Sequence, residues 1–199
     1  MVLEGAMVNN RYRVLEFIGE GGMSRVYKAE DGIDNTFVAI KFMKETVTSS
    51  YIEDAIRFRN EVEIASGLDH PGIARIFGSG EHEGMLYFVM ELLDGESLDI
   101  YMQKKKLGDW DEMVSIFYRL AEILDYIHRR GIVHKDIKPG NFFAAKSESD
   151  VQFKLIDFGV AHIMELGKIQ GEKEIAGTFG YMSPEVTGLS KGNIDERSD

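Results

Sequence analysis

The chain has 199 residues, 44% hydrophobic and 29% charged, with a net charge of −11 and no cysteine. That balance fits a soluble globular domain with a sizeable core and excludes disulfides, thiolate metal sites and the basic face that nucleic acid needs as a partner. No apolar run reaches the roughly 20 residues of a bilayer span, and residues 1–8 lack the basic-then-apolar pattern of a signal peptide, so a cytoplasmic protein without a membrane segment is expected.

In chain order, residues 12–92 read as short strands separated by turn signals such as Asp31-Gly32 and Glu83-Gly84, which predicts an antiparallel sheet. Residues 85–93, interrupted only by Glu91, read as a buried strand. One helix breaks the series: Ser50 with Glu53 forms a capping box, and Ile52, Ile56 and Ala65 follow before Gly67 stops the run. From Ser97 the period becomes helical. Met113, Ile116, Phe117, Leu120, Leu124 and Ile127 recur at helix spacing, Trp110 opens that helix as an expected packing anchor, and Gly131 supplies the stop. Lys104, Lys105 and Lys106 read as a solvated helix end that complements the dipole. A strand-rich part followed by a helix-rich part predicts an α+β architecture in two lobes, connected at about residues 91–95, with a cleft as the natural ligand site.

Several short motifs carry chemistry. Ile18-Gly19-Glu20-Gly21-Gly22-Met23-Ser24-Arg25-Val26 is a glycine-rich turn between two strands, whose backbone N–H groups can approach phosphate oxygens; taken alone it is as readily a plain turn. Val38-Ala39-Ile40-Lys41 ends an apolar strand in an ammonium that needs an anion. Nucleotide phosphates and the carboxylate of Glu61 are both candidates, and a lysine that reaches solvent is the ordinary alternative. His134-Lys135-Asp136-Ile137-Lys138-Pro139-Gly140-Asn141 places a carboxylate, an ammonium and a carboxamide in one loop. Asp136 can accept a hydroxyl proton, Lys138 can neutralise charge, and Asn141 can hold a metal ion. Leu155-Ile156-Asp157-Phe158-Gly159 adds a second hard oxygen ligand of the kind magnesium prefers. His134, His162, His82 and His128 lack a second ligand at metal spacing and read as packing residues.

Taken in order, with Ser183-Pro184-Glu185, these motifs resemble the signature of eukaryotic-type (Hanks-type) protein serine/threonine kinases, and Glu20-Gly21-Gly22-Met23 with Val26-Tyr27-Lys28-Ala29 is most similar to bacterial members. The resemblance covers residues 12–199. It implies a two-lobed kinase-like fold: an N-terminal extension at 1–11, a β-rich N-lobe with one helix at 12–92, and a partial helical C-lobe at 93–199. The catalytic loop is then 134–141 and the activation segment 157–185. ATP and Mg²⁺ are the implied cofactors. Val26, Ala39 and Phe143 would enclose adenine, with Met90 as gatekeeper and the backbone of Glu91 and Leu93 bonding the base. The turn from Ile18 to Ser24 would cover the phosphates. Lys41 would contact them with Glu61 holding it, and Asn141 and Asp157 would bind Mg²⁺. Glu63 stands about 200° from Glu61 around a helix and is the poorer partner. Lys138 and Thr178 beside Asp136 imply Ser or Thr hydroxyls of proteins as acceptors.

Departures from the family pattern are Ser24 for a third glycine and Lys135 for the arginine that normally binds a phosphorylated activation segment. No Ser, Thr or Tyr stands between Gly159 and Gly177. The tail 195–199 resembles the entry to the large buried C-lobe helix, so truncation there is expected to leave Glu185 without its arginine and the apolar face of residues 113–127 open to self-association. The alternative reading is a pseudokinase-like nucleotide-binding or interaction module without turnover. A dinucleotide-binding fold is excluded because a strand, not a helix, follows the glycine turn.

Overall fold

The strand-like runs of the first half pair largely with their sequence neighbours. In the computed structural model, residues 4–21, 24–44, 62–63, 65–105, 109–147, 150–158, 180–190 and 193–199 are described. The chain divides into two units, Met1–Gly67 with Arg75–Leu93, and Leu68–Ala74 with Asp94–Asp199.

The first unit contains β1 (Met7–Val8), β2 (Tyr12–Glu20), β3 (Ser24–Asp31), β4 (Thr36–Met43), β5 (Ile76–His82) and β6 (Met85–Glu91). They form one six-stranded sheet in the order β1-β2-β3-β4-β6-β5, antiparallel throughout. The turns fall at the predicted signals: Asn35, Glu83 and Gly84 all adopt positive φ, which closes the two hairpins tightly. β6 is buried through Leu86, Tyr87, Phe88, Val89 and Met90, as a central strand requires. One face packs Val8, Val14, Tyr27, Ile40, Phe42 and Tyr87 together, and the rings of Phe17, Tyr27, Phe42 and Tyr87 meet in series at 5.4–5.8 Å. Residues 7–8, within the stretch read as an extension, add an edge strand whose Val8 is wholly buried. Arg11 grips the buried Asp31 with two nitrogens, at 2.9 and 2.7 Å, and this hydrogen bonding holds the Asp31 carboxyl below its usual range. Of the helix predicted between Ser50 and Gly67, residues 62–63 and 65–66 are helical, with Val62 and Ala65 buried; the capping box lies outside the described residues.

The second unit holds the expected helices and adds a sheet that was not expected there. Beside α1 (Leu98–Lys105) and α2 (Trp110–His128) it holds a three-stranded antiparallel sheet, β7 (Gly95–Ser97), β8 (Phe142–Lys146) and β9 (Val151–Leu155). These strands are only three to five residues long, and although Val151–Leu155 alternates apolar and polar residues, a run that short is a weak signal. Gly95 is demanded by position: its φ is +157° and a Cβ would stand 2.1 Å from the carbonyl oxygen of Ala144 across the ladder. Residues 68–74 join this unit through Ile73, which bridges Leu155.

Asp109 caps α2 by accepting from the Asp111 N–H, and Gly131 at φ +73° follows its end. The buried stripe of α2 is Ile116, Leu120, Ile123 and Ile127, packed on Leu98, Phe142, Phe153 and Leu155. Ile123 therefore replaces Phe117, which is exposed, and Met113 and Leu124 are only half-buried. Trp110 is 75% exposed and anchors nothing. The reason is geometric: apolar residues occur around most of this helix, and a stripe at i, i+4, i+7, i+11 covers only one face. Lys104 pairs with Glu96 and Lys105 lies 3.8 Å from Glu112, so these charges stay on a solvated surface.

Candidate active site

In the second unit the loop after α2 is organised around two carboxylates. Asp136 is the first. Its Oδ2 accepts from Asn141 Nδ2 at 2.9 Å and pairs with Lys138 Nζ at 2.8 Å, and its backbone carbonyl accepts the other Asn141 amide hydrogen at 2.7 Å. Oδ1 of Asp136 is buried and receives no hydrogen bond. A short 3₁₀ turn, Pro139–Asn141, sets this spacing, and Ile156 N–H donates to the Asn141 carbonyl, tying the loop to the end of β9.

Asp199 is the second carboxylate, and sequence reasoning missed it. Its side chain is fully buried and accepts from the His134 N–H at 2.8 Å and the Lys135 N–H at 2.6 Å, with His128 Nε2 at 2.9 Å. Lys135 sits at φ +68°, a left-handed pose that a non-glycine residue resists and that these two adjacent amide bonds maintain. An acid in a polar tail has no periodic signal; nothing short of the folded loop reveals its partners. Ser198 beside it donates to Glu185 Oε1 at 2.6 Å.

His134 links the pieces. Its Nδ1 accepts from the Asp136 N–H at 3.3 Å, Nε2 donates to the Asp157 carbonyl, and its ring lies 5.7 Å from Phe158. Burial pushes its pKa down from the usual histidine value near 6.5, so the folded imidazole stays neutral with Nδ1 as acceptor. A proton on Nδ1 cannot coexist with the Asp136 N–H. Because the unfolded chain takes up that proton near pH 6.5 and the folded one does not, stability contributed by His134 is complete above pH 6.5 and falls as pH drops through it. Urea unfolding between pH 7.5 and 5.5 will show decreasing stability with a slope that His134→Gln reduces; an equal slope in the variant removes the assignment.

In the first unit, Lys41 lies on β4 between Val26 of β3 and Phe88 of β6, with Nζ 5.5 Å from the Phe88 ring centre. Ala39 and Met90 are cross-strand partners, 5% and 7% exposed, and Val26 is half-buried. Glu91 closes β6 by accepting at Oε2 from the Arg75 N–H, and its own N–H donates to the Arg75 carbonyl. Leu93 is half-buried and ends this unit, while Ile18 and Gly19 lie on β2 with Ile18 45% exposed. Gly21 N–H donates to the Ser24 carbonyl at 2.9 Å, closing the turn. Phe143, in the second unit, is half-buried on β8. Gly22, Met23, Glu61 and Thr178 lie outside the described residues, as do His162 and Lys106. Glu63 is exposed.

Residues 12–199 match a family model described as the protein kinase domain. The chain belongs to the protein kinase domain family. This kinase domain sequence is 35% identical over 184 residues to the serine/threonine-protein kinase PrkC of Bacillus subtilis, covering 92% of the chain and 28% of PrkC. It is 34% identical over 199 residues to the serine/threonine-protein kinase pkn2 of Myxococcus xanthus, covering 98% of the chain and 24% of that protein. The chain thus spans about a quarter of the length of these relatives. Among solved structures, the kinase domain of PknI from Mycobacterium tuberculosis superposes with a TM-score of 0.78 at 26% identity, over 100% of this chain and 71% of that one. The kinase fold and the likeness to bacterial serine/threonine kinases are therefore shown. Among the described residues no helix is long and apolar enough to cross a membrane.

Proposed function

We propose that the chain is catalytic-domain sequence of an ATP- and Mg²⁺-dependent protein serine/threonine kinase acting in the cytoplasm. The observation that carries this reading is the Asp136 cluster. One carboxylate oxygen is engaged by Lys138 and Asn141, and the other is buried with no hydrogen bond, poised to accept the proton of an acceptor hydroxyl. Asn141 fits a magnesium role because both its amide hydrogens are spent on Asp136, leaving a carbonyl oxygen, a hard ligand. Asp157 supplies the carboxylate of the pair. When bound, Mg²⁺ neutralises phosphate charge. Lys41, on its buried strand, offers an ammonium to the α- and β-phosphates, with Glu61 and Thr178 as further contributors. Val26, Ala39, Phe143 and Met90 provide apolar surface for adenine, and the backbone of Glu91 and Leu93 bonds its edge. The turn at Ile18, Gly19, Glu20, Gly21, Gly22, Met23 and Ser24 covers the phosphates.

The test is transfer of labelled γ-phosphate to a protein acceptor, measured for this chain and for its longer parent, followed by phosphoamino-acid analysis. Phosphoserine or phosphothreonine is expected from the parent. Mainly phosphotyrosine overturns the acceptor class, ATP binding by this chain with transfer only by the parent establishes the pseudokinase-like alternative for the chain, and no transfer by the parent overturns the kinase reading.

A further inference from the structure

The glycine turn is held from outside by a lysine that the motif reading passed over. Lys44 stands one residue past the end of β4. Its Nζ donates to the Gly21 carbonyl at 2.8 Å and lies 2.8 Å from Glu20 Oε1, which also accepts from Arg25 Nε at 3.3 Å. Hydrogen bonding to Lys44 is the largest influence holding the Glu20 carboxyl below its ordinary range. On the opposite limb of the turn, Ser24 is 7% exposed and pairs in register with Met43, the residue before Lys44. The two limbs of the turn are therefore each tied to the end of β4, one through the ladder at Ser24 and the other through the ammonium at Glu20 and Gly21.

Exposed ion pairs of this kind contribute little to global stability, and with Glu20 and Lys44 side chains 43% and 30% exposed this one is no exception. Its effect is local: a segment rich in glycine has many backbone conformations open to it, and the bond to the Gly21 carbonyl removes most of them.

We propose that Lys44 is a positioning residue that holds the glycine turn in the pose that meets the phosphate tail of a nucleoside triphosphate. The proposal rests on the nucleotide reading above. A ligand touches this turn through its phosphates, so the tether bears on triphosphate affinity and leaves the affinity for the bare nucleoside alone. Arginine at 44 retains the positive donor and the function; methionine retains only the stem.

The experiment is calorimetric titration of the full 199-residue chain with MgATP and with adenosine, for the unmodified protein, Lys44→Met, Lys44→Arg and Lys41→Met, with a thermal midpoint for each. Lys44→Met should weaken MgATP binding about tenfold, the scale of ordering one more residue on binding. Adenosine affinity and the midpoint should stay unchanged, and Lys44→Arg should recover most of the loss. Unaltered MgATP affinity in Lys44→Met, with Lys41→Met weakened, sinks the tether alone; an equal loss for adenosine sinks it as well. If the unmodified chain binds no MgATP, or Lys41→Met binds it normally, the phosphate site itself is misplaced and the tether falls with it.

Discussion

Asp136→Asn will reduce phosphoryl transfer by the parent kinase by about 10²- to 10⁴-fold, the usual share of a positioned general base, while nucleotide binding persists. The substitution keeps the shape of the side chain and one acceptor oxygen. It removes the negative charge that Lys138 Nζ meets at 2.8 Å and puts an NH₂ where an acceptor is needed. Whichever way the amide turns, it loses something. With its oxygen toward Lys138 and Asn141, its NH₂ takes the place of the buried Oδ1, the atom that has no hydrogen bond and is available to a substrate proton. With the oxygen reversed, NH₂ faces the Lys138 ammonium and the Asn141 amide, three donors with no acceptor among them. Single-turnover transfer measured beside ATP affinity separates these effects. A loss smaller than about tenfold would mean that Asp136 does not act as the base.

Asp199→Ala should lower the unfolding free energy of this chain by about 2–6 kcal/mol in urea titrations, because two backbone N–H groups lose a charged, fully buried acceptor at roughly 1–3 kcal/mol each. The amides concerned belong to His134 and Lys135, and the lost carboxylate also leaves His128 Nε2 without its 2.9 Å partner. A second measurement makes the argument specific. Lys135 holds φ +68° only at a cost that a side chain imposes and glycine does not, so Lys135→Gly introduced into Asp199→Ala should restore part of the lost stability. A loss below about 1 kcal/mol, or no recovery with glycine, would show that the carboxylate is not what shapes the loop. This loop geometry is also the link from fold to chemistry. His134 passes the position of the backbone to Asp157 through its neutral Nε2–H and to Asp136 through Nδ1, so disturbance at Asp199 reaches both acids through one imidazole.

Much of this was legible in the sequence because it rests on local rules. The turns at Asp31-Gly32 and Glu83-Gly84, the buried strand read at residues 85–93, which ends at Glu91, and the stop at Gly131 each follow from the backbone preferences of a few neighbouring residues. The close grouping of Asp136, Lys138 and Asn141 follows from their separation of no more than five positions. Errors came where apolar residues outnumbered the surface available to bury them. α2 offered Trp110, Met113, Val114, Phe117 and Tyr118 in addition to the residues it buries, and composition could not say which face the three-stranded sheet would cover. Of that sheet only the short apolar strand leading to Asp157 was legible, since its strands are three to five residues long.

By itself, then, the amino-acid order determined the family, the sheet of the first unit and the identities of the chemical groups in the loop of residues 134–141, because each is encoded in residues close together along the chain. Tertiary structure alone decided that Asp199 supports a loop 64 positions away, that Asn141 turns its amide hydrogens onto Asp136, and that Lys44 ties down the glycine turn. Those contacts join residues whose separation carries no period. Burial and hydrogen-bond satisfaction, which select them, are properties of the folded chain and not of any stretch of it.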